Sequence, residues 1–425
     1  MFGQTCESIQ TDMRVLLAPH GTRGDIQPML ALGVALRARG HLAMFSVPSG
    51  FVDWIRAHGF EAASNGIDIQ AEMRSPDARL DSVRWMFGRL KEQTALMFEP
   101  IARASEGADI IVGAGAQLAT ATIADWRQVP HATIAFCPCA MPTGAAPPPT
   151  VKTQVLPPWV NRLLWQVGSP VADVALRGTI NRGRAALGLP SIDRPLEHIS
   201  DSLVVISADP QLAPPGDDSL PSVVSTDAMI FVEPYTPDPR VEAFLDQDPA
   251  PIYIGFGSMM ASRAQELAAH AIAATRALGR SAILAGGWAG LERFAPDADD
   301  LLTIAATPHH AIFPRVATVI HHGGAGTTTA AASAGVPQVI VPHLLDQFYW
   351  AHRIERLGLG PRGLPVSLVT ADILADRLDA AVNDAGIRKR AAMLGPVVAA
   401  RNGADATADQ LERLVKNVSP SISPA

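Results

Sequence analysis

The sequence predicts an α/β protein made of two successive halves, each a parallel sheet with helices on both faces. Three observations predict it. Apolar runs of strand length alternate with longer segments of helical periodicity, the pattern of repeated βαβ units. The alternation stops once, in a Pro- and Asp-rich stretch from Pro210 to Pro251, and then resumes. At 425 residues the chain is long enough to bury two separate cores.

Arg14 to Pro19 reads as a buried strand, followed by the loop HGTRGDIQ at 20–27. Pro28 then opens an amphipathic helix that Gly40 closes, and His41 to Val47 is the next strand. Phe51 to His58 is a short helix ended by Gly59; Asp109 to Val112 and His131 to Phe136 are strands around a helix. Between Pro138 and Leu189 the pattern breaks into MPTGAAPPPTVK, the apolar VLPPWVNRLLWQV and a helical INRGRAALGLP, before Leu203 to Ser207 returns to strand. The stretch containing EPYTPDP and DQDPAP reads as the interdomain connection. Strands at Ile252 to Phe256, Ser281 to Ala285 and Leu301 to Ala305 form the second series. The expected organisation is an N-terminal domain at 13–210, a connection at 211–250, a C-terminal domain at 251–404 and a closing helix at 405–418.

Composition narrows the function. The net charge is −7, with no basic block or basic stripe interleaved with aromatics, which excludes a nucleic-acid partner. Cys6, Cys137 and Cys139 are the three cysteines; the last two form CPC, neither a disulfide framework nor a zinc pattern, and imply a reducing cytoplasm. MFGQTCESIQTDM lacks a basic region and an apolar core, so no signal peptide is expected, nor does any run reach membrane-spanning length. Membrane contact is expected to be peripheral and weak at most. Oligomeric state is not legible.

Thr318 to Gln347 carries the chemistry. TVIHHGGAGTTTAAASAGVPQVIVPHLLDQ reads as a buried strand, a tight loop with two histidines and three glycines, a helix from near Thr327 to Gly335, and a second strand at Gln338 to Val341. Gly323, Gly324 and Gly326 let the backbone approach a bulky anion, and the helix start at Thr327 offers unpaired N–H groups and a positive dipole end. His322 adds a donor, whereas His321 reads as part of the strand end. Asp346 and Gln347 suit hydroxyls. Phosphate and polyol on one unit point to a nucleotide sugar.

This segment resembles the donor signature of the family 1 GT-B glycosyltransferases, in HHGGAGT, AGVPQVIVP and DQ together. The branch it is most similar to holds sterol glucosyltransferases and bacterial enzymes acting on glycopeptides and macrolides. The resemblance implies two Rossmann-like domains facing across a cleft, with the last helix crossing back onto the first domain.

HGTRGDIQPM resembles the same branch, which implies that Asp25 is the base that removes the acceptor proton. Residue type alone leaves Asp25 open between base and helix cap. Plant-type relatives carry a histidine there, supported by an aspartate; no counterpart of that acid stands around Gly113–Ala124. His20 is a weaker candidate. Arg23 is equally open between a cation for the leaving group and a surface arginine. Ser258 in GFGSM joins the donors to phosphate, while Trp288 in AGGW and Pro308-His309 match the nucleobase side by resemblance. Two DxD patterns, Asp246/Asp248 and Asp297/Asp299, fall in polar segments away from the phosphate loop, so no metal and no cofactor beyond the nucleotide sugar is expected.

Trp85, Met86, Phe136, Trp159 and Trp165 supply the apolar wall expected for an acceptor, with VLPPWVNRLLWQV as its lid. The resulting expectation is an inverting, metal-independent transfer of a hexose from a UDP- or TDP-sugar to a hydroxyl of a lipophilic small molecule. A GT-B epimerase needs a second acid/base pair, and product analysis with and without acceptor separates it. A non-catalytic nucleotide-sugar-binding homologue would lose the base, and a donor hydrolysis assay separates that.

Overall fold

Seven parallel strands form one sheet and five parallel strands a second, among the residues that the computed structural model describes: 12–75, 82–218, 220–257, 264–287, 298–304 and 308–418. The first half runs β1 (Arg14–His20), α1 (Arg23–Ala38), β2 (Leu42–Val47), α2 (Val52–Ala57), β3 (Glu61–Ser64), α3 (Ile69–Arg74), α4 (Val83–Ala104), β4 (Ile110–Gly115), α5 (Thr120–Arg127), β5 (His131–Ala135), α6 (Pro158–Ala186), α7 (Pro195–Ser200), β6 (Leu203–Ser207) and β7 (Val223–Thr226). The second runs α8 (Pro239–Leu245), β8 (Ile252–Gly255), α9 (Ala264–Ala277), β9 (Ala282–Ala285), β10 (Leu301–Ile304), α10 (His309–Ile312), β11 (Thr318–His321), α11 (Ala325–Ser333), β12 (Gln338–Ile340), α12 (Gln347–Leu357), α13 (Ala371–Asn383), α14 (Ala385–Ala399) and α15 (Gly403–Val418).

Strand order is β3-β2-β1-β4-β5-β6-β7 in the first sheet and β10-β9-β8-β11-β12 in the second. Each order reverses direction once, between β1 and β4 and between β8 and β11. Ligands of doubly wound sheets sit beyond the carboxyl ends of strands at such reversals. The turn from β1 into α1, which brings Asp25, and the loop leaving β11, which carries His322, stand at these two places.

The strands are buried because both faces are covered: β1 buries six of its seven residues. Met29, Leu30, Leu32 and Leu36 of α1 close one face with Ala404, Ala408 and Leu411 of α15. The terminal helix therefore belongs to the core of the first half. Arg39, at the end of α1, pairs with Asp405, Asp409 and Glu412 along α15. The chain passes between the halves twice, after Asp227 and again before Gly403, and the passes touch. Gly403 N–H donates to the Ala228 carbonyl at 2.9 Å, and Arg401 pairs with Asp227 at 3.1 Å. A third cluster joins the halves directly, packing Ile206 and Leu212 against Tyr349, Trp350 and Ile354 of α12.

Four expectations need correction. The helix after β1 starts at Arg23, five residues before Pro28, which lies inside it; Thr22, in extended conformation, begins the helix, so residues 23–27 form its first turns. The apolar segment and the helical piece after residue 157 are one 29-residue helix, α6, which continues through Pro170. The connection is shorter than 211–250: VVST pairs as edge strand β7, and Val241, Phe244 and Leu245 of α8 pack into the second half. Cys137 and Cys139 form a disulfide, because extended Cys137 and the turn at Pro138–Ala140 bring their Cα atoms to 5.3 Å, within bonding range.

Candidate active site

The carboxyl ends of both sheets open into one cavity of about 1820 Å³. Single-ligand pockets are roughly 300–1,000 Å³, so this one accommodates two substrates together. The first half contributes His20, Arg23, Asp25, Trp85, Met86, Phe136 and Trp165; the second contributes Pro308, His309, His322, Gly324, Gly326, Thr327, Asp346 and Gln347.

Asp25 occupies the first turn of α1, and its Oδ2 accepts the Thr22 backbone N–H at 2.8 Å. It is thus both a cap and a group facing the cleft; the two readings are compatible. Two glycines missed in the sequence make room for the carboxyl. A Cβ at Gly115 would stand 2.8 Å from Asp25 Oδ1, and one at Gly21 would collide with Oδ2; both backbones have positive φ. Burial pushes the Asp25 pKa up to about 7, against the Thr22 hydrogen bond, and the Asp346 charge across the cleft adds to the rise. Asp346 is itself raised to about 6 by burial.

His20 is turned away from this role. It lies in the wall with Nε2 3.1 Å from Gln93 Oε1 and Nδ1 3.2 Å from Asn65 Nδ2, and burial lowers its pKa. Arg23 lines the cleft but is held: Nη2 donates to Glu233 at 2.5 Å, Nε to Gln27 at 3.1 Å, and the guanidinium lies over Trp54, whose Nε1 also donates to Glu233. Neither Glu233 nor Trp54 was visible as a partner in the sequence, since 210 residues separate Arg23 from Glu233.

On the facing wall, α11 starts at Ala325, two residues before the expected Thr327, because extended Gly324 serves as its N-cap; Thr327 lies inside the first turn. His321 Nδ1 accepts the Gly323 N–H at 3.1 Å and Nε2 stands 2.9 Å from Gln338 Oε1, which braces the loop from within. The His322 ring fits between Gly257 and Gly324, where a Gly324 Cβ would stand 2.6 Å from Nε2. Its Nδ1 has no partner among the described groups, and burial pushes its pKa down to about 3, so the ring is neutral at pH 7. A neutral imidazole is a hydrogen-bond donor here rather than a fixed charge.

Asp346 precedes α12 without capping it by its side chain, and so stays directed to the cavity. Gln347 Oε1 accepts the His343 N–H at 2.8 Å and the Leu344 N–H at 3.2 Å, shaping the loop that carries Asp346. His309 stacks on Phe313 at 4.4 Å with Tyr253 on its edge; burial and the Arg23 charge hold its pKa down to about 3. Ser258 and Trp288 lie outside the described residues, as does Asp297. Asp246 pairs with Arg315 at 2.6 Å on the surface. Among the described residues no His, Cys, Asp and Glu group is arranged to hold a metal ion.

On the acceptor side, Trp85, Met86, Phe136 and Trp165 line the cavity, with Trp165 Nε1 donating to the Ala146 carbonyl at 3.1 Å. Trp159 does not: it is 66% exposed on the outer face of α6. Its neighbours at helical spacing, Leu163 and Val167, are exposed too, so this face points outward as a stripe.

A carboxylate on one wall of a two-sheet cleft, and a glycine loop at a helix start on the other, suit transfer from an activated phosphate-linked donor. Comparison with known proteins agrees. Residues 15–129 match the glycosyltransferase family 28 N-terminal domain, and residues 292–414 the erythromycin biosynthesis protein CIII-like C-terminal domain. The chain is 36% identical to glycosyltransferase GtfE of Amycolatopsis orientalis over 82% of its length and 85% of that protein. It is 30% identical to O-mycaminosyltylonolide 6-deoxyallosyltransferase of Streptomyces fradiae over 92% and 95%. Glycosyltransferase VinC, solved in complex with dTDP, superposes with a TM-score of 0.69 at 20% identity, covering 95% of this chain and all of that one. The chain belongs to the family 1 GT-B glycosyltransferases and is a glycosyltransferase. None of its described helices is long and apolar enough to cross a membrane.

Proposed function

We propose that the protein transfers a hexose from a UDP- or TDP-sugar to a hydroxyl of a lipophilic small molecule, with inversion and without a metal ion. The observation that carries this reading is the Asp25 carboxyl, cradled by Gly21 and Gly115 on the wall opposite His322 and the glycine loop. The acceptor oxygen attacks the anomeric carbon, the anomeric C–O bond to the diphosphate breaks, and the acceptor proton passes to Asp25. With Asp25 as the base and Asp346 on the sugar hydroxyls, transfer is a single displacement, hence inversion, as the family resemblance also implies. The departing diphosphate gains charge, which fixed donors stabilise without a cation: the His322 ring and the backbone N–H groups at the start of α11. VinC's complex with dTDP supports a thymidine nucleotide as one donor to try.

Asp25→Asn tests the reading. Turnover falls at least ~100-fold, while donor affinity stays within a few-fold, and wild-type product shows the opposite anomeric configuration to the donor by NMR. Near-normal turnover in the variant would reduce Asp25 to a helix cap.

A further inference from the structure

Several carboxylates line the first half of the cavity, Asp25, Glu72, Asp173, Glu197, Asp201 and Glu233, and Glu72 is the one on which a buried hydrogen-bonded chain ends. Glu72 of α3 lines the wall beside Ile69, Met73, Met86 and Leu90, with its side chain 23% exposed. Arg89 Nη2 donates to Oε1 at 2.5 Å, and Gln93 Nε2 donates to Oε2 at 2.5 Å. Behind Gln93 a buried chain continues through His20 to Asn65. Its protons order in one sense. Asn65 Nδ2–H donates to His20 Nδ1, so His20 Nε2 carries the hydrogen and donates to Gln93 Oε1, which turns the Gln93 amide N–H toward Glu72. The network thus terminates in an acceptor at the cavity surface.

A carboxylate offers about four lone-pair sites. Arg89 and Gln93 occupy one on each oxygen, which leaves acceptor capacity for a ligand. Arg89, which also pairs with the exposed Glu92, holds a guanidinium against Glu72, so a cationic amine at Glu72 would stand beside a like charge. A neutral hydroxyl fits.

We propose that Glu72 is a second acceptor anchor, accepting a hydrogen bond from a hydroxyl remote from the one that Asp25 deprotonates. The substrate class is then a rigid apolar diol or polyphenol rather than a mono-alcohol. This rests on reading the cavity as the acceptor site, and its test is separable from that of the reaction because it needs neither donor nor turnover.

Equilibrium binding of 4,4′-dihydroxystilbene and 4-hydroxystilbene to the full chain is measured by tryptophan fluorescence. The two probes differ only in one remote hydroxyl. Wild type is expected to bind the bisphenol about ten-fold tighter or more, the worth of a hydrogen bond to a charged group. In the double variant Glu72→Leu, Arg89→Met, which removes the carboxylate with its ion-pair partner and leaves the Gln93 amide N–H without its acceptor, the preference should fall to about two-fold, the statistical advantage of two equivalent ends. The preference should also fall in Glu72→Gln, which serves if the double variant does not fold. An unchanged preference in a folded variant, no preference in wild type, or no binding of either probe by wild type overturns the proposal.

Discussion

Asp25 must be ionised to accept a proton, yet it sits where ionisation is costly. With its pKa raised to about 7, only the deprotonated fraction works, so free-enzyme kcat/KM should rise with pH through about 7 and level off above it. Asp346→Asn removes a like charge that contributes to this rise, and should move the acid limb to lower pH; a stationary limb would show that the two carboxyls do not sense each other. The same shift has a cost in stability. A carboxyl whose folded pKa lies above its ordinary 3.8 favours the folded state below that value and loses this contribution as pH rises through about 7. Asp25→Asn should therefore melt higher than wild type at pH 8, with the gap closing toward pH 4. Across the cleft, His322→Ala should weaken binding of bare nucleoside diphosphate as well as lower kcat. Asp346→Ala should weaken only the intact donor. A lost buried contact of this kind is worth roughly 1–3 kcal/mol, which calorimetry resolves. Equal losses of the bare nucleotide in both variants would remove Asp346 from the sugar.

Local signals decided which elements could be read. The turn after β11 was legible because its function needs glycine, and glycine is visible in a string of letters. Pro28, a strong marker of a first turn, draws the expected start of α1 too late, although Thr22 and Asp25 stand at capping-box spacing and signal the earlier start. The sequence pattern divides α6 into an apolar piece and a helical piece on either side of the stretch that holds Pro170, and it places Trp159 in the cavity because apolar character does not say which side of a helix faces inward. Gly115, Glu72 and Glu233 join the site only through strand order and chain crossing, which no local pattern encodes. Helix α15 illustrates the reverse dependence, in which a distant contact demands a local residue. A Cβ at Gly403 would run into the Asp227 carbonyl oxygen. Gly403→Ala should therefore destabilise by about 1–3 kcal/mol, read as a lower melting temperature. A melting temperature unchanged within a degree would mean that the crossing can shift freely.

At the scale of the molecule, two sheets present their reversal points to one another, and the cavity between them accommodates a donor and an acceptor at once. Backbone and imidazole donors are proposed to meet the charge of the leaving group, so EDTA should leave activity intact; an obligatory Mg²⁺ or Mn²⁺ would overturn that account of the phosphate site. The two passes of the chain between the halves lie side by side, Gly403 on Ala228 and Arg401 on Asp227. Two bodies tied at this seam, and packed directly where Ile206 and Leu212 meet Tyr349 and Trp350, keep as their easiest freedom a swing about that joined side, while sliding and twisting would tear it. The stroke of such a swing grows with distance from the axis. Arg23 is tied to Glu233, only a few residues beyond the seam, so the first turn of α1 rides near the pivot. The cleft can then gape at its outer lip to admit a bulky guest while the carboxyl that must meet it stays almost where it was.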